Sequence, residues 1–291
     1  MRVPILPATM LLVAALLAAG AGLAGAAPVA MITDLKGKVL LVEGGRSRPA
    51  TLLAYLEPEN RLHLEAGAQV VLTYFAKPIE VTLTGPAEAS VAADGARVAK
   101  GAKPTQRALD SGRADTARKF EPMAREKLAL ATVHMRAAPR PAPRPTSPAD
   151  TVIISTTPAL EWAELGTATG YRVVVKEASG ATVLDQQVAR PPLAIPPERA
   201  LRAGAAYEWR VEAKLASGAT LGADAKFTVA DAVRAKSIEN SRPAADAGFS
   251  ERLLYAARLE SEGLREAAKQ LWQTLAKERP DDEALRRWAA Q

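Results

Sequence analysis

The sequence contains no cysteine and only two histidines in 291 residues. A chain without cysteine can have no disulfide, cysteine nucleophile, thiolate zinc site or iron–sulfur cluster. His63 and His134 lie far apart in sequence, and neither has a cluster of further donors beside it, so we expect packing or surface roles for both. The chain also lacks a Gly-x-Ser-x-Gly elbow and a glycine-rich phosphate loop. These absences predict a protein that is not an enzyme and that has no catalytic, metal or cofactor site.

Aromatic residues are scarce as well, at 4% of the chain, although 48% of the residues are apolar. Alanine supplies much of that apolar content, so several small cores are a better interpretation than one large core. The net charge of +6 is local, because eleven basic and four acidic residues fall between Lys100 and Arg144. A nucleic-acid-binding fold places such charge on a folded face among aromatics, and here it lies in a Pro-rich region. We therefore expect no nucleic-acid partner.

The N-terminus has the features of an export signal. No charged residue follows Arg2 until Asp34, and the run Met10 to Leu17 is apolar. Small residues at Ala24-Gly25-Ala26 suit signal peptidase, which predicts a signal peptide over 1–26 and a periplasmic protein. The alternative is an uncleaved inner-membrane anchor, because the uncharged stretch is long enough to span a bilayer. Only that alternative gives the protein a membrane contact.

Residues 28–100 show the alternation and frequent turns of a small all-β domain. Strands are predicted at Val39–Val42, Leu62–Leu64, Val70–Phe75 and Ile79–Leu83, with turns near Gly44 and at Gly85-Pro86.

The order of these features resembles the periplasmic FecR domain. The resemblance covers about seventy residues and rests on four short motifs, namely Gly37-Lys38-Val39, Asn60-Arg61-Leu62, Gly67-Ala68-Gln69-Val70-Val71-Leu72 and Gly85-Pro86-Ala87. One departure is Ala76-Lys77-Pro78, where the family has an Asp-Gly-Ser-like turn. The resemblance implies the FecR fold, whereas the family's transmembrane signalling is expected to carry over only if the N-terminal segment remains as an anchor.

Residues 101–150 are interpreted as a basic helix and a Pro-rich linker. Pro122 is a candidate helix start, and Ala124, Leu128, Ala131 and Met135 share one face at helical spacing. The run from Pro139 to Pro145 favours an extended polyproline spacer. The helix either packs on a neighbouring domain or binds an anionic surface, and its alanine-rich face favours packing.

Residues 151–231 are organised around the stretch from Leu201 to Val211, where a leucine and a turn glycine precede Tyr-x-Trp-x-Val. Leu201, Gly204 and Tyr207 predict a tyrosine corner, in which the hydroxyl bonds to upstream backbone. Together with Pro158-Ala159-Leu160-Glu161-Trp162, Tyr171-Arg172-Val173-Val174-Val175 and Phe227-Thr228-Val229, the stretch resembles a fibronectin type III domain. Members of that family bind proteins or glycans or space other modules, and no catalytic residue comes with the resemblance.

A polar linker is predicted over 232–248, and residues 249–291 have the pattern of a helical tail. Gly263 ends a first helix, Pro280 ends a second, and Asp281 or Asp282 caps a third. The order of small and aromatic residues resembles one tetratricopeptide repeat with a capping helix. Because about three repeats are normally needed for stability, this unit must dock on the sandwich, pair with a second copy or receive a partner. The candidate partner-binding residues are Leu264, Leu271, Trp272, Leu285 and Trp288.

The sequence thus predicts a mainly β protein with a FecR-like all-β domain, a fibronectin type III-like sandwich and a C-terminal α-hairpin. The functional hypothesis is a non-catalytic periplasmic envelope protein that binds or scaffolds cell-wall glycan or protein partners, through the helical tail or by contact with peptidoglycan. The alternative is a FecR-type sensing and signalling component held by an uncleaved anchor.

Overall fold

The structure is a computed structural model that describes residues 26–129 and 142–290. Almost all of the predicted signal peptide, and the end of the predicted basic helix with His134, lie outside the described residues. Within the described ranges, no helix is both long and apolar enough to cross a membrane.

The first unit is a sandwich of two five-stranded, largely antiparallel sheets. Its ten strands are β1 (Ala30–Lys36), β2 (Val39–Glu43), β3 (Arg46–Pro49), β4 (Tyr55–Leu56), β5 (Arg61–Leu64), β6 (Gln69–Tyr74), β7 (Ile79–Thr84), β8 (Ala87–Ala92), β9 (Gly95–Lys100) and β10 (Thr105–Ala108). One sheet has the order β10-β7-β6-β1-β4 and the other β3-β2-β5-β8-β9. The strand and turn positions expected from the alternation are confirmed, because alternate residues such as Val70, Leu72 and Tyr74 face the buried interior.

The predicted boundary of this unit at residue 100 is wrong. Strand β10 lies in the expected linker, yet it pairs with β7 through the register Thr105↔Thr82 to Ala108↔Ile79. The helix that follows, α1 (Ser111–Ala129), begins eleven residues before Pro122, which lies inside it. Its buried face is formed by Ala114, Ala117, Phe120 and Ala124. The free energy gained by packing this face outweighs the loss of the backbone hydrogen bond that a proline inside a helix cannot donate.

The second unit is a β-sandwich of eight strands, and it begins inside the expected Pro-rich spacer. The strands are β11 (Arg144–Ser147), β12 (Thr151–Ile153), β13 (Ala159–Ala163), β14 (Ala168–Glu177), β15 (Thr182–Val188), β16 (Leu193–Ala194), β17 (Ala206–Leu215) and β18 (Thr220–Val229). The sheets have the orders β11-β13-β16 and β12-β18-β17-β14-β15. Trp162, Tyr171, Tyr207, Trp209 and Phe227 all belong to its own separate core. The β-sandwich expected for these residues is confirmed.

Four helices complete the chain, namely α2 (Ala232–Asn240), α3 (Phe249–Ser261), α4 (Arg265–Glu278) and α5 (Glu283–Ala289). The expected linker at 232–248 is therefore partly helical. Asp231 is the N-cap of α2 and accepts a hydrogen bond from the Arg234 N–H, and Ile238 is fully buried. Asp282 caps α5 in the same way by accepting from the Leu285 N–H. The fold class, mainly β with a helical C-terminal part, is confirmed.

The hydrophobic cores show how the units are assembled. One continuous core contains residues of the first β unit, of α1 and of α3 to α5, and the sandwich has the other. The N-terminal and C-terminal parts of the chain therefore form one composite domain, and the second β-sandwich is an insertion between α1 and α2. The helical tail packs against the first β unit, which was not among the docking arrangements expected from the sequence.

Candidate functional site

The side chains expected to bind a partner are mostly used inside the composite domain. Leu264, Trp272, Leu285 and Trp288 are at most 5% exposed, and Leu271 is half-buried against the same core. The residues expected to bind a partner are therefore packed against other parts of the same chain. The physical reason is that α1 and the first β unit cover the apolar face that an isolated repeat would leave open.

An aromatic cluster forms the centre of this packing. The rings of Trp272 and Trp288 stack with centroids 5.3 Å apart, and Phe120 of α1 lies 4.8 Å from Trp288 and 6.2 Å from Trp272. These distances are typical of favourable aromatic pairs. The cluster joins residues more than 150 positions apart in sequence and holds the tail on the first unit.

A polar cluster fixes the start of α3. Glu80 of β7 is 5% exposed and accepts hydrogen bonds from Arg107 of β10 and from the Ser250 hydroxyl. Arg107 also donates to Glu251 at 2.7 Å, and Arg113 lies 3.1 Å from the same carboxylate. Burial opposes ionisation of Glu251, but the hydrogen bond from Arg107 and the charges of both arginines outweigh it and lower its pKa.

A second polar contact lies at the same end of the helical hairpin, where the end of α4 lies beside the start of α3. Arg279, which follows α4, donates to the carboxylate of Asp34 at 3.0 Å and to the Leu35 carbonyl at 2.9 Å. Its guanidinium also lies 4.4 Å from the ring centroid of Phe249, a cation–π distance. Both contacts therefore tie the open end of the α3–α4 hairpin to the first β unit.

The turn between α3 and α4 connects this composite domain to the sandwich. The Gly263 carbonyl accepts from the Val152 N–H at 2.8 Å and from the Thr151 hydroxyl at 3.2 Å. Gly263 has φ +73°, and a Cβ there would lie 3.2 Å from a methyl of Val152, so glycine suits both the backbone and the close approach. Glu266 accepts from Ser147 and from the Ala149 N–H across the same junction.

The tyrosine corner has the geometry expected from the sequence. Leu201 is 3% exposed, Gly204 has φ +78°, and the Tyr207 hydroxyl accepts from the Arg202 N–H at 2.7 Å. A similar arrangement, not expected, joins the Tyr171 hydroxyl to the Leu165 N–H at 2.9 Å. These residues are structural, since both rings lie in the sandwich core.

Beside the junction lies a cleft of about 590 Å³. Its floor is the outer face of the five-stranded sheet, where Ala178, Ala206 and Thr228 form a row across β14, β17 and β18. Gly263 and Val152 form its wall at the end of that row. The volume is in the range of small-ligand sites, and the row of small side chains leaves the floor open.

A second, charged row runs parallel to the first. Glu208 and Lys226 face each other in register on β17 and β18, with their charged atoms 3.9 Å apart. Two more charged residues, Asp150 and Arg265, lie beside this pair. The Asp150 N–H donates to the Lys226 carbonyl at 2.7 Å, and the Arg265 guanidinium donates to the Asp150 carbonyl at 3.0 Å. The cleft therefore presents two cationic and two anionic side chains along one edge.

The described residues contain no group of three or more His, Asp or Glu side chains placed to hold a metal ion. His63 lies on β5 between Leu40 of β2 and Glu88 of β8 in the sheet register.

Sequence reasoning missed both Phe120 and the cleft. Phe120 could have been predicted as a buried residue, because its spacing from Ala117 and Ala124 places all three on one face of a helix. The cleft has no sequence signal, because its residues come from five separate elements and loops.

No family model matches the chain, and no curated protein matches it. Among solved structures, CopC from Methylosinus trichosporium OB3b is 14% identical over 31% of this chain and 95% of its own, with a TM-score of 0.24. The twitchin kinase region from C. elegans is 23% identical over 32% of this chain and 17% of its own, with a TM-score of 0.23. The chicken CNTN1 FN1–FN3 domains are 13% identical over 70% of this chain and 67% of their own, with a TM-score of 0.21. At these TM-scores none of the likenesses bears on function.

Proposed function

We propose that the protein is a non-catalytic, exported component of the cell envelope that binds or scaffolds cell-wall partners. The observation that carries the proposal is the way the helical tail is used. Its apolar face and the open end of its α3–α4 hairpin hold the first β unit, and the turn between α3 and α4 holds the sandwich. The chain thereby presents two β-sandwiches in a fixed relative position, which is the geometry of a scaffold.

The export signal in the sequence and the FecR-like motif order support a periplasmic setting. Because the apolar stripe of the tail is buried within the chain, the partner surface is assigned to the exposed strand faces and the junction cleft. Peptidoglycan fits this partner surface better than a protein bound through the tail does.

The experiment is sedimentation of the purified full chain with purified peptidoglycan over a range of salt concentrations. Binding that persists at physiological ionic strength supports the proposal, since contacts made only by exposed charges are screened there. Failure to sediment at any salt concentration contradicts wall binding. N-terminal sequencing of the exported protein tests the location, and a chain that still begins at Met1 in the membrane fraction contradicts the periplasmic assignment.

A further inference from the structure

We infer that the junction cleft is a binding site for a short extended peptide with small side chains that carries both ammonium and carboxylate groups. The inference rests on the proposed function and names the part of the wall polymer that the site would take. It follows from the shape of the floor, the order of charges along its edge and the position of the wall.

The floor fits a narrow chain with small side chains. Ala206 of β17 and Thr228 of β18 lie in register, Ala178 just past the end of β14 is bonded beside Ala206, and Val152 of β12 closes the row beside Thr228. With neighbouring strands about 4.8 Å apart, the three floor positions and the approach to the wall span about 10 Å. An extended peptide rises about 3.3 Å per residue, so about three residues cover the floor.

The edge of the cleft fits a chain of mixed charge. Glu208 of β17 and Lys226 of β18 face each other in the sheet register, and Asp150 is bonded to the far side of β18. The signs therefore alternate at a spacing of one strand. Arg265 adds a second cation beside Asp150. A polyanion or a polycation would meet a like charge at alternate steps, whereas a zwitterionic peptide would not.

The floor is less suitable for a sugar ring. Two aromatic residues border the cleft, Tyr207 and Phe227, and each is 3% exposed with its ring stacked in the sandwich core. The ligand-facing surface is therefore made by small and charged side chains. This favours the peptide part of a wall polymer over its glycan part.

The test measures binding to the full chain by calorimetry with three probes. The first is the stem peptides that an amidase releases from purified peptidoglycan, and the second is the glycan strands freed of peptide in the same digestion. We expect the peptides to bind and the glycan to show no binding. A third probe, free trialanine, tests whether any small zwitterionic peptide is enough and so separates wall-derived peptides from other sources.

Variants locate the binding. Ala206 is exposed, so Ala206→Trp fills the floor without changing the core, and Lys226→Met removes one cation from the edge. Each is expected to weaken peptide binding about tenfold or more, which corresponds to about 1.4 kcal/mol. The matched controls are Thr220→Trp and Lys214→Met, which pair with each other at the opposite end of β17 and β18. Both controls are expected to bind like the parent protein.

The outcomes separate the two proposals. If the protein sediments with whole peptidoglycan and the Ala206→Trp and Lys226→Met variants bind as well as the controls, the cleft assignment is overturned and wall binding stands. If only the glycan strands bind, the peptide assignment is overturned in the same way. If the peptides bind in calorimetry but whole peptidoglycan does not sediment the protein, the cleft stands and wall scaffolding fails. Equal thermal midpoints for the four variants establish that folding is not the cause.

Discussion

Replacement of Trp272 by alanine is the sharpest test of the composite domain. Trp272 is 0% exposed, and its ring lies against Trp288 of α5 and Phe120 of α1. The substitution removes the ring on which the tail and α1 both pack. We therefore expect the damage to extend to the first β unit, more than 100 residues away in sequence.

The magnitude follows from the buried area. A tryptophan buries up to about 250 Å², and at about 25 cal/mol per Å² this is about 6 kcal/mol as an upper bound. Large-to-small aromatic substitutions in cores cost about 3–5 kcal/mol. Domains are stable by about 5–15 kcal/mol, so Trp272→Ala removes a large part of the stability of the composite domain.

Hydrogen exchange of the full chain is the assay, because it assigns the loss to particular elements. We expect Trp272→Ala to lower protection in β1, β6, α1 and the tail together and to leave β14, β17 and β18 protected. Trp209→Ala is the matched control, since Trp209 is equally buried in the separate core of the sandwich. It is expected to give the opposite pattern.

Conservative variants of the same two residues sharpen the comparison. The Trp272 ring nitrogen is buried with no hydrogen-bond partner among the described residues, whereas that of Trp209 donates to the Pro148 carbonyl at 2.8 Å. Trp272→Phe removes an unsatisfied donor and is expected to cost less than Trp209→Phe, which leaves a buried carbonyl unpaired. Loss of protection confined to residues 249–290 in Trp272→Ala would refute the shared core.

Three further predictions concern the contacts around this core. Because the pKa of Glu251 is lowered in the folded state, its stabilising contribution is present above about pH 4.3 and is lost as the pH falls through the lowered value. Arg107→Met should therefore lower the free energy of unfolding at pH 7, and that free energy should fall less steeply below pH 4 than in the parent protein. Urea unfolding over a range of pH measures this, and equal pH dependence of the two proteins would count against it. Tyr207→Phe leaves the Arg202 N–H without its partner, so we expect it to lower the free energy of unfolding of the sandwich by about 1–3 kcal/mol. Denaturant unfolding measures this, and an unchanged midpoint would exclude the corner as a stabilising contact. Gly263→Ala places a side chain at φ +73° against β12 and should cost about 1 kcal/mol or more, with faster exchange at residues 150–153. Unchanged exchange there would show that the turn does not hold the sandwich.

Local patterns were enough to find most of the secondary structure. Period-two alternation located β2, β5, β6 and β7, because each strand turns alternate side chains into the core between the two sheets. The tyrosine corner was readable from Leu201, Gly204 and Tyr207, since its hydrogen bond spans only five residues. The cap at Asp282 and the helix end at Gly263 are equally local.

The errors came from residues whose partners are distant in sequence. Strand β10 and helix α1 looked like linker, because β10 has four exposed residues and α1 has an alanine-rich face. β10 is held in place by β7, and α1 is held by the aromatic residues of the tail. These partners are too distant in sequence to appear in a local pattern. Pro122 predicts a helix start for the same reason, because only tertiary packing keeps a helix continuous through a proline.

Local sequence patterns specify two alternating β regions, a tyrosine corner and an amphipathic helical tail with its caps. Long-range packing makes the tail complete the core of the first β unit, and it inserts the sandwich into that domain. The same packing buries the apolar face around Trp272 and forms the cleft at the junction. Propensity, alternation and capping act over a few residues, whereas the shared core joins Phe120 to Trp272 and Trp288, which are more than 150 positions away.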